Sequence, residues 1–314
     1  MTKNILIPGA GGFACINAIK SLRSVHYSGK LISTDANPLS AGFFLADGYY
    51  LLPKASDPAF MEKAMTMIKK EKIGIIFPTS GFDIFPYAQH RSDLEALGVT
   101  VCISDSDTLD ICCDKERFNE TVRSEFPCPQ HYQHPEQIDR FPVFLKPRFG
   151  KGSRNAFLCE AQRDLDYYFS KYDAMIIQEY LPGTEYTVDV LSDLSGQAVY
   201  AVVRERVAVK EGISFKGRVI IDEEIEAMAM RLANFLKLKA ASCIQLRRDR
   251  EGALKLIEVN PRMGGGTIMT SLAGANIPYA MVKLCEGEII QKPQIRPMMI
   301  LRYYNEIVIE DKES

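Results

Sequence analysis

The stretch KLIEVNPRMGGG, residues 255–266, places a carboxylate, an amide, a guanidinium and three glycines on the end of an apolar run. Leu256, Ile257 and Val259 are strand formers, and Pro261 must end the ladder because it has no N–H to give. Glu258 and Asn260 stand two apart, so a strand's period points both side chains to one face. Two hard oxygen donors on one face suit Mg²⁺, and Arg262 beside them suits phosphate oxygens. An acid and an amide capping a neighbouring turn would look the same from these residues alone. The run is the second half of a hairpin that turns at Asp249–Gly252, and its first strand carries Gln245. Cross-strand neighbours lie about 5 Å apart, so Gln245 can join Glu258 and Asn260 in one oxygen shell.

Three further stretches carry phosphate or nucleotide chemistry. In FPVFLKPRFGKGSRNAFLCE (141–160) a strand carries Lys146 into a loop with two glycines, one serine and three cations. Such a loop can turn its backbone N–H groups to phosphate oxygens while Lys146 adds a point charge. The spacing is not that of a P-loop, and a β-hairpin with a basic tip is the competing reading. In MIIQEYLPGTEYTVDV (175–190), Glu179, Tyr180 and Leu181 form a connector that offers backbone hydrogen bonds to an adenine edge, and Glu185 can accept from ribose hydroxyls. The bland reading is a linker between two subdomains. Lys115 opens the helical stretch CDKERFNETVRSEF (113–126); by default it is a solvated surface lysine.

The elements that must position these residues follow two patterns. Residues 3–8, 30–35, 73–79 and 99–104 read as strands separated by helical stretches, including 57–72 with Phe60, Ala64, Met67 and Ile68 on one side. Near-continuous apolar strands alternating with helices indicate a parallel sheet covered on both faces. After about residue 112 the chain becomes β-rich. Residues 264–287 read as two helices and 297–310 as a closing strand, with Arg302 facing either a substrate carboxylate or a structural ion pair.

Gly9, Gly11 and Ala14 follow the first strand in G-x-G-x-x-A spacing, and Asp35 ends the second. A dinucleotide site asks for that arrangement, with the acid on a ribose. A nicotinamide enzyme also needs a hydride-transfer site in its second domain, and none is visible; the second half carries phosphate-binding residues instead.

The totals narrow the classes. At 314 residues the chain has room for about two domains, and 46% hydrophobic with 25% charged residues is ordinary for a globular protein. A net charge of −2 leaves no basic footprint for nucleic acid. No apolar run approaches the roughly 20 residues that span a bilayer, and a cytoplasmic protein is expected. Eight cysteines form no C-x-x-C pair and four histidines no ligand-spaced cluster, so they are expected to be reduced packing residues.

The motifs DK (114–115), FLKPRFGKGS (144–153), QEYLPGTEYTVDV (178–190) and Q…IEVNPR (245–262) together resemble an ATP-grasp domain running from about residue 113 to 314, behind a Rossmann-like domain over 1–112. The likeness is to one synthetase half of the carbamoyl phosphate synthase large subunit and to small carboxylate–amine ligases. It implies an α/β (α+β) chain: a Rossmann-like pre-ATP-grasp domain followed by a two-lobed ATP-grasp fold, with a lid over about 117–182 and a metal and phosphate subdomain over about 183–314. It implies that Lys115 and Lys146 hold ATP phosphates and that the loop of Gly150, Gly152 and Ser153 closes over them. Glu179, Tyr180 and Leu181 would bind adenine, Glu185 the ribose, and Gln245, Glu258 and Asn260 Mg²⁺, for which Mn²⁺ could substitute. Arg262 and Lys146 would act on the transferred phosphoryl group. Neither NAD nor biotin is expected, and the Gly9–Ala14 turn would shape an acceptor site or pack the first helix.

The expected activity is ligation of a small-molecule carboxylate to an amine through an acyl phosphate, by a homodimer on symmetry grounds. Three alternatives stand beside it: phosphorylation of bicarbonate and carbamate, an ATP-binding regulator without turnover, and a dinucleotide oxidoreductase. Carbamoyl phosphate enzymes carry His in a GIH stretch where this chain has Ser214.

Overall fold

The first third of the chain alternates as its apolar pattern requires. In the computed structural model, which describes residues 2–150, 152 and 154–310, β1 (Asn4–Pro8), α1 (Phe13–Arg23), β2 (Leu31–Asp35), β3 (Gly48–Leu51), α2 (Phe60–Lys70), β4 (Ile73–Ile76), α3 (Ile84–Gln89), α4 (Arg91–Ala96), β5 (Thr100–Val101) and α5 (Ser106–Cys113) follow in order. The five strands are parallel, in the order β3-β2-β1-β4-β5. Ile5, Ile7 and Ile75 pack with Cys15, Ile19 and Leu22 of α1 on one face. Leu6, Ile32 and Ile76 meet Phe60, Ala64, Met67 and Ile68 of α2 on the other. Two elements differ from expectation. β4 stops at Ile76, and Thr79 turns away to donate to the Pro8 carbonyl at 2.5 Å. The short edge strand β3, with Tyr49 and Leu51 exposed, gives no apolar signal of its own.

The expected helix over 113–126 is interrupted at Asp114. That residue is extended (φ −106, ψ 106), and its carboxylate accepts from the N–H groups of Glu116 and Arg117, which starts α6 (Lys115–Val122) as a separate helix. A four-stranded antiparallel sheet follows, built from β6 (His131–Tyr132), β7 (Val143–Pro147), β8 (Phe157–Cys159) and β9 (Met175–Glu179) in the order β6-β9-β7-β8, with α7 (Gln162–Lys171) against it. It has its own small core of Tyr132, Val143, Leu145, Cys159, Leu165 and Ile177.

The remaining elements are β10 (Glu185–Ser192), β11 (Ala198–Lys210), β12 (Ile213–Ile220), α8 (Glu223–Phe235), β13 (Ala240–Arg248), β14 (Leu254–Asn260), α9 (Thr267–Leu272), α10 (Ile277–Cys285) and β15 (Met298–Leu301). The strands form an antiparallel sheet in the order β14-β13-β10-β11-β12-β15. One face of it buries Val188, Val190, Val203, Ile244 and Leu246 against Ile225, Ala229 and Leu232 of α8 and Phe118 and Val122 of α6. The closing strand is shorter than 297–310: Met298–Leu301 pairs with β12, and the last backbone bond to that strand is from the Arg302 N–H to the Phe215 carbonyl. Among the described residues no helix is long and apolar enough to cross a membrane.

Arg204 of β11 and Asp189 of β10 form a fully buried pair, with Nε–Oδ2 at 2.8 Å and Nη2–Oδ1 at 3.0 Å; Thr270 of α9 also donates to Asp189. Gly264 and Gly266 lie against this pair. A Cβ on Gly266 would stand 2.5 Å from Arg204 Nη1, and one on Gly264 2.9 Å from Cys243 Sγ. The Gly265 carbonyl accepts from Asn17 of α1 and from Arg302, each at 2.8 Å, which ties the N-terminal sheet to the end of the chain. Removing one partner of a buried pair strands the other charge. Asp189→Ala is therefore expected to cost about 3–5 kcal/mol in urea unfolding, and Asp189→Leu with Arg204→Met to recover most of it. A single variant within about 1 kcal/mol of the parent would contradict that.

Candidate functional site

Strict alternation would put Glu258 on the same face as Leu254 and Leu256, in the core. The pairing avoids this. Gln245 lies opposite Glu258 and Leu246 opposite Leu256, so Ile257 is an extra residue, a β-bulge that resets the phase of β14. Leu254, Leu256 and Val259 then enter the core, while Glu258 and Asn260 turn with Gln245 into the cleft. Asn260 Nδ2 donates to Glu258 Oε1 at 3.3 Å, and Arg262 donates to Asn260 Oδ1 at 3.3 Å and to the Met263 carbonyl at 2.7 Å. Burial lowers the Arg262 pKa. One carboxylate and two amide oxygens are hard donors that fit Mg²⁺. Among the described residues no three acids, histidines or cysteines gather to hold a metal. A dication here would need phosphate oxygens to complete its charge balance.

Across the cleft, β7 places Lys146 with 6% exposure. Burial pushes its ammonium down from 10.5 to about 8; Glu258 partly opposes that shift and Lys115 adds to it. Lys115, in the first turn of α6, reaches the carbonyls of Pro147, Arg148 and Gly150 at 3.1–3.3 Å, and burial lowers its pKa too. Arg148 grips Asp114 with two bonds of 2.8 and 2.6 Å, so the helix cap also anchors the start of the glycine loop. Gly150 (φ 146) and Gly152 (φ 68) hold conformations that favour glycine. Ser153 lies outside the described residues.

Glu179 ends β9; its carboxylate accepts from the Gln130 N–H at 3.2 Å. Leu181 is buried, and the Arg247 guanidinium sits 5.8 Å from the Tyr180 ring centroid. Glu185, first in β10, faces Arg206 at 2.9 Å and Arg247 at 3.9 Å. All the site residues named from sequence that are described, Lys115, Lys146, Gly150, Gly152, Glu179, Tyr180, Leu181, Glu185, Gln245, Glu258, Asn260 and Arg262, line one cleft of about 1620 Å³.

The N-terminal glycine turn reaches the same cleft through Gly9, Gly12, Phe13, Ala14 and Asp35. Asp35 is folded onto the turn, accepting from Gly11 N at 2.8 Å and from Asn37 N at 3.0 Å. Ser214 is buried on the cleft wall, and Arg302 donates to the Gly265 and Ser214 carbonyls, with Phe13 4.6 Å beneath it, rather than to a carboxylate. Sequence reasoning missed Asp189, Arg204, Arg206 and Arg247. The signal was there in two places. Two arginines two apart in VVRERV, and Glu185, Thr187 and Asp189 in EYTVDV, put charge on one face of strands whose other face is apolar.

The folded pKa of Lys146 lies below its unfolded value, so folding expels a proton. This destabilisation is fully present below about pH 8 and disappears as pH rises toward 10.5. Lys146→Met should stabilise the nucleotide-free protein near neutral pH, by at most about 3 kcal/mol, and flatten the rise in stability above pH 8. Urea unfolding at both pH values checks this; no gain near neutral pH would refute it.

Residues 5–102 match the PylC-like N-terminal domain model, and residues 171–307 the model described as ATP-grasp in the biosynthetic pathway with Ter operon. The carbamoyl phosphate synthase large chain of Clostridium botulinum is 24% identical over 276 residues, covering 80% of this chain and 25% of the relative. That of Pyrococcus furiosus is 25% identical over 301 residues, covering 86% and 28%. The chain thus spans about a quarter of the length of these relatives. The fold is shared with N5-carboxyaminoimidazole synthetase from Staphylococcus aureus complexed with ADP (TM-score 0.74, 18% identity, 95% of this chain and 81% of that one). It is also shared with biotin carboxylase from Campylobacter jejuni (TM-score 0.74, 17% identity, 93% and 73%). The chain therefore carries an ATP-grasp domain match behind a PylC-like N-terminal domain match and is homologous to part of the carbamoyl phosphate synthase large chain.

Proposed function

We propose that this protein is an ATP-dependent ligase that activates a carboxylate as an acyl phosphate for attack by an amine, releasing ADP and phosphate. One observation carries the reading: two lysines whose charge burial disfavours, Lys115 and Lys146, face a cleft whose opposite wall offers Gln245, Glu258 and Asn260. Cations held at that cost are matched by the phosphates of a nucleotide. Mg²⁺ held by Gln245, Glu258 and Asn260 would neutralise charge on the phosphates.

The chain's own part is positioning. Lys115 and Lys146 bind phosphate oxygens, and the loop through Gly150 and Gly152 covers them. Glu179–Leu181 edge the base, and Glu185 takes the ribose. A carboxylate oxygen attacks the γ-phosphorus as its bond to the ADP oxygen breaks. Arg262 and Lys146 stabilise the charge on the phosphoryl group in flight. The amine nitrogen then attacks the acyl carbon, phosphate leaves with the bonding pair, and the nitrogen loses a proton. No protein nucleophile is needed. The N-terminal turn, with Phe13 and the 79–82 segment, forms the far wall for the acceptor.

A second reading, phosphorylation of bicarbonate and carbamate, draws on the homology to carbamoyl phosphate synthase. Ser214 at the position where those enzymes have His favours the ligase.

ADP release with Mg²⁺-ATP across bicarbonate, single amino acids and amino-acid pairs separates the two. Turnover that needs both an acid and an amine supports the ligase, whereas turnover with bicarbonate alone supports the other. Glu258→Ala and Asn260→Ala should each lower ADP formation by about 100-fold or more. Unchanged turnover in either would remove that residue from the metal site. Because the Lys146 ammonium is lost above about pH 8, nucleotide affinity of the free protein should weaken there, and Lys146→Met should abolish that inflection.

A further inference from the structure

Glu185 is balanced in charge but not in hydrogen bonds. Arg206 Nε lies 2.9 Å from its Oε1 and Arg247 Nη1 3.9 Å from its Oε2. Even so, no hydrogen bond among the described residues ends on either oxygen, and Arg206 Nε is itself buried without an aligned acceptor. The carboxylate is held by charge, with its lone pairs open to the cleft. The Glu185 side chain is 22% exposed, so donors that arrive with a ligand can reach its oxygens from the cleft. Two guanidiniums already flank the site, which disfavours a cationic ligand; neutral hydroxyls suit it.

Arg206 is far better fixed than the acid it faces. Its side chain is 7% exposed, its Nη2 donates to the Gly212 carbonyl at 2.9 Å, and its Nη1 approaches Thr187 Oγ1 at 3.4 Å. Glu185 is the first residue of β10, just after the Pro182-Gly183 turn, and has 22% exposure. Without Arg206, nothing inside the sheet would draw its carboxylate back against β11.

We propose that Arg206 is the positioning residue for ribose recognition: it holds Glu185 Oε1 so that Oε2 accepts hydrogen bonds from the vicinal hydroxyls of a nucleotide. This rests on the nucleotide reading of the cleft. It makes discrimination between ribo- and deoxyribonucleotides a property of the pair, set from β11, rather than of Glu185 alone.

Equilibrium binding of Mg²⁺ complexes of ADP, 2′-deoxy-ADP and 3′-deoxy-ADP to the full chain tests it, using the parent, Glu185→Gln, Arg206→Gln and Arg206→Lys. The parent should prefer ADP over at least one deoxy form by about ten-fold, the equivalent of one charge-assisted hydrogen bond. Arg206→Gln should reduce that ratio to within about two-fold, as Glu185→Gln does, while affinity for the deoxy form stays near the parent's. Arg206→Lys should recover part of the preference. Nucleotide binding with an undiminished ratio in Arg206→Gln would overturn the inference alone. A parent that binds ADP without preferring it would overturn it as well. A parent that binds no nucleotide would bring down both the inference and the functional reading beneath it. Loss of fold in both Arg206 variants, read by circular dichroism, would make the pair structural and refute the positioning role.

Discussion

The site is built around positive charge placed where water is scarce. Lys146 is nearly inaccessible, has no carboxylate in ion-pair contact among the described residues, and keeps its charge only up to about pH 8. Lys115 meets three carbonyl oxygens, and Arg262 meets one carbonyl and one amide. Neutral acceptors satisfy donors but do not cancel charge. Left alone, such a cleft lowers the stability of the fold; a bound polyanion would offset that cost through the same groups. Much of the architecture is what keeps these cations in place against their own desolvation.

Two devices do this. Asp114 both caps α6 and grips Arg148, so the start of the helix that carries Lys115 and the root of the glycine loop share one carboxylate. Below them the six-stranded sheet has one apolar face and one charged face. Its charged face is neutralised in pairs, Asp189 with Arg204 and Glu185 with Arg206. Gly264 and Gly266 can lie against the first of these pairs only because they have no side chains, and the Gly265 carbonyl between them collects Asn17 and Arg302 from opposite ends of the chain. The N-terminal sheet and the six-stranded sheet are thus tied together beside the cleft that Gln245, Glu258 and Asn260 line.

Homology to part of a much larger synthase and a fold shared with biotin carboxylase and N5-carboxyaminoimidazole synthetase stand beside this physical picture. On another side of the cleft, Ser214, Phe13 and the Asp35-closed glycine turn form a wall of mixed apolar and polar groups.

Sequence alone determined a good deal. Apolar runs of four to six residues alternating with amphipathic helices are enough to dictate a covered parallel sheet, because such strands can be buried only on both faces. The order of the phosphate-type motifs, with Glu258 and Asn260 two apart and Gln245 one hairpin arm away, is likewise local information. Tertiary structure decided what depends on partners distant in the chain. The bulge at Ile257 comes from the pairing of β14 with β13, so no period count on β14 alone reveals that Glu258 leaves the core. At Asp114 the carboxylate that caps the Glu116 and Arg117 N–H groups also holds Arg148, a partner 34 residues away that no local pattern reveals. Arg204 and Arg206 look like surface charges until β10 brings Asp189 and Glu185 within reach of them. Whether a charge is solvated or buried and paired is a property of its surroundings, and those exist only once the strands have found one another.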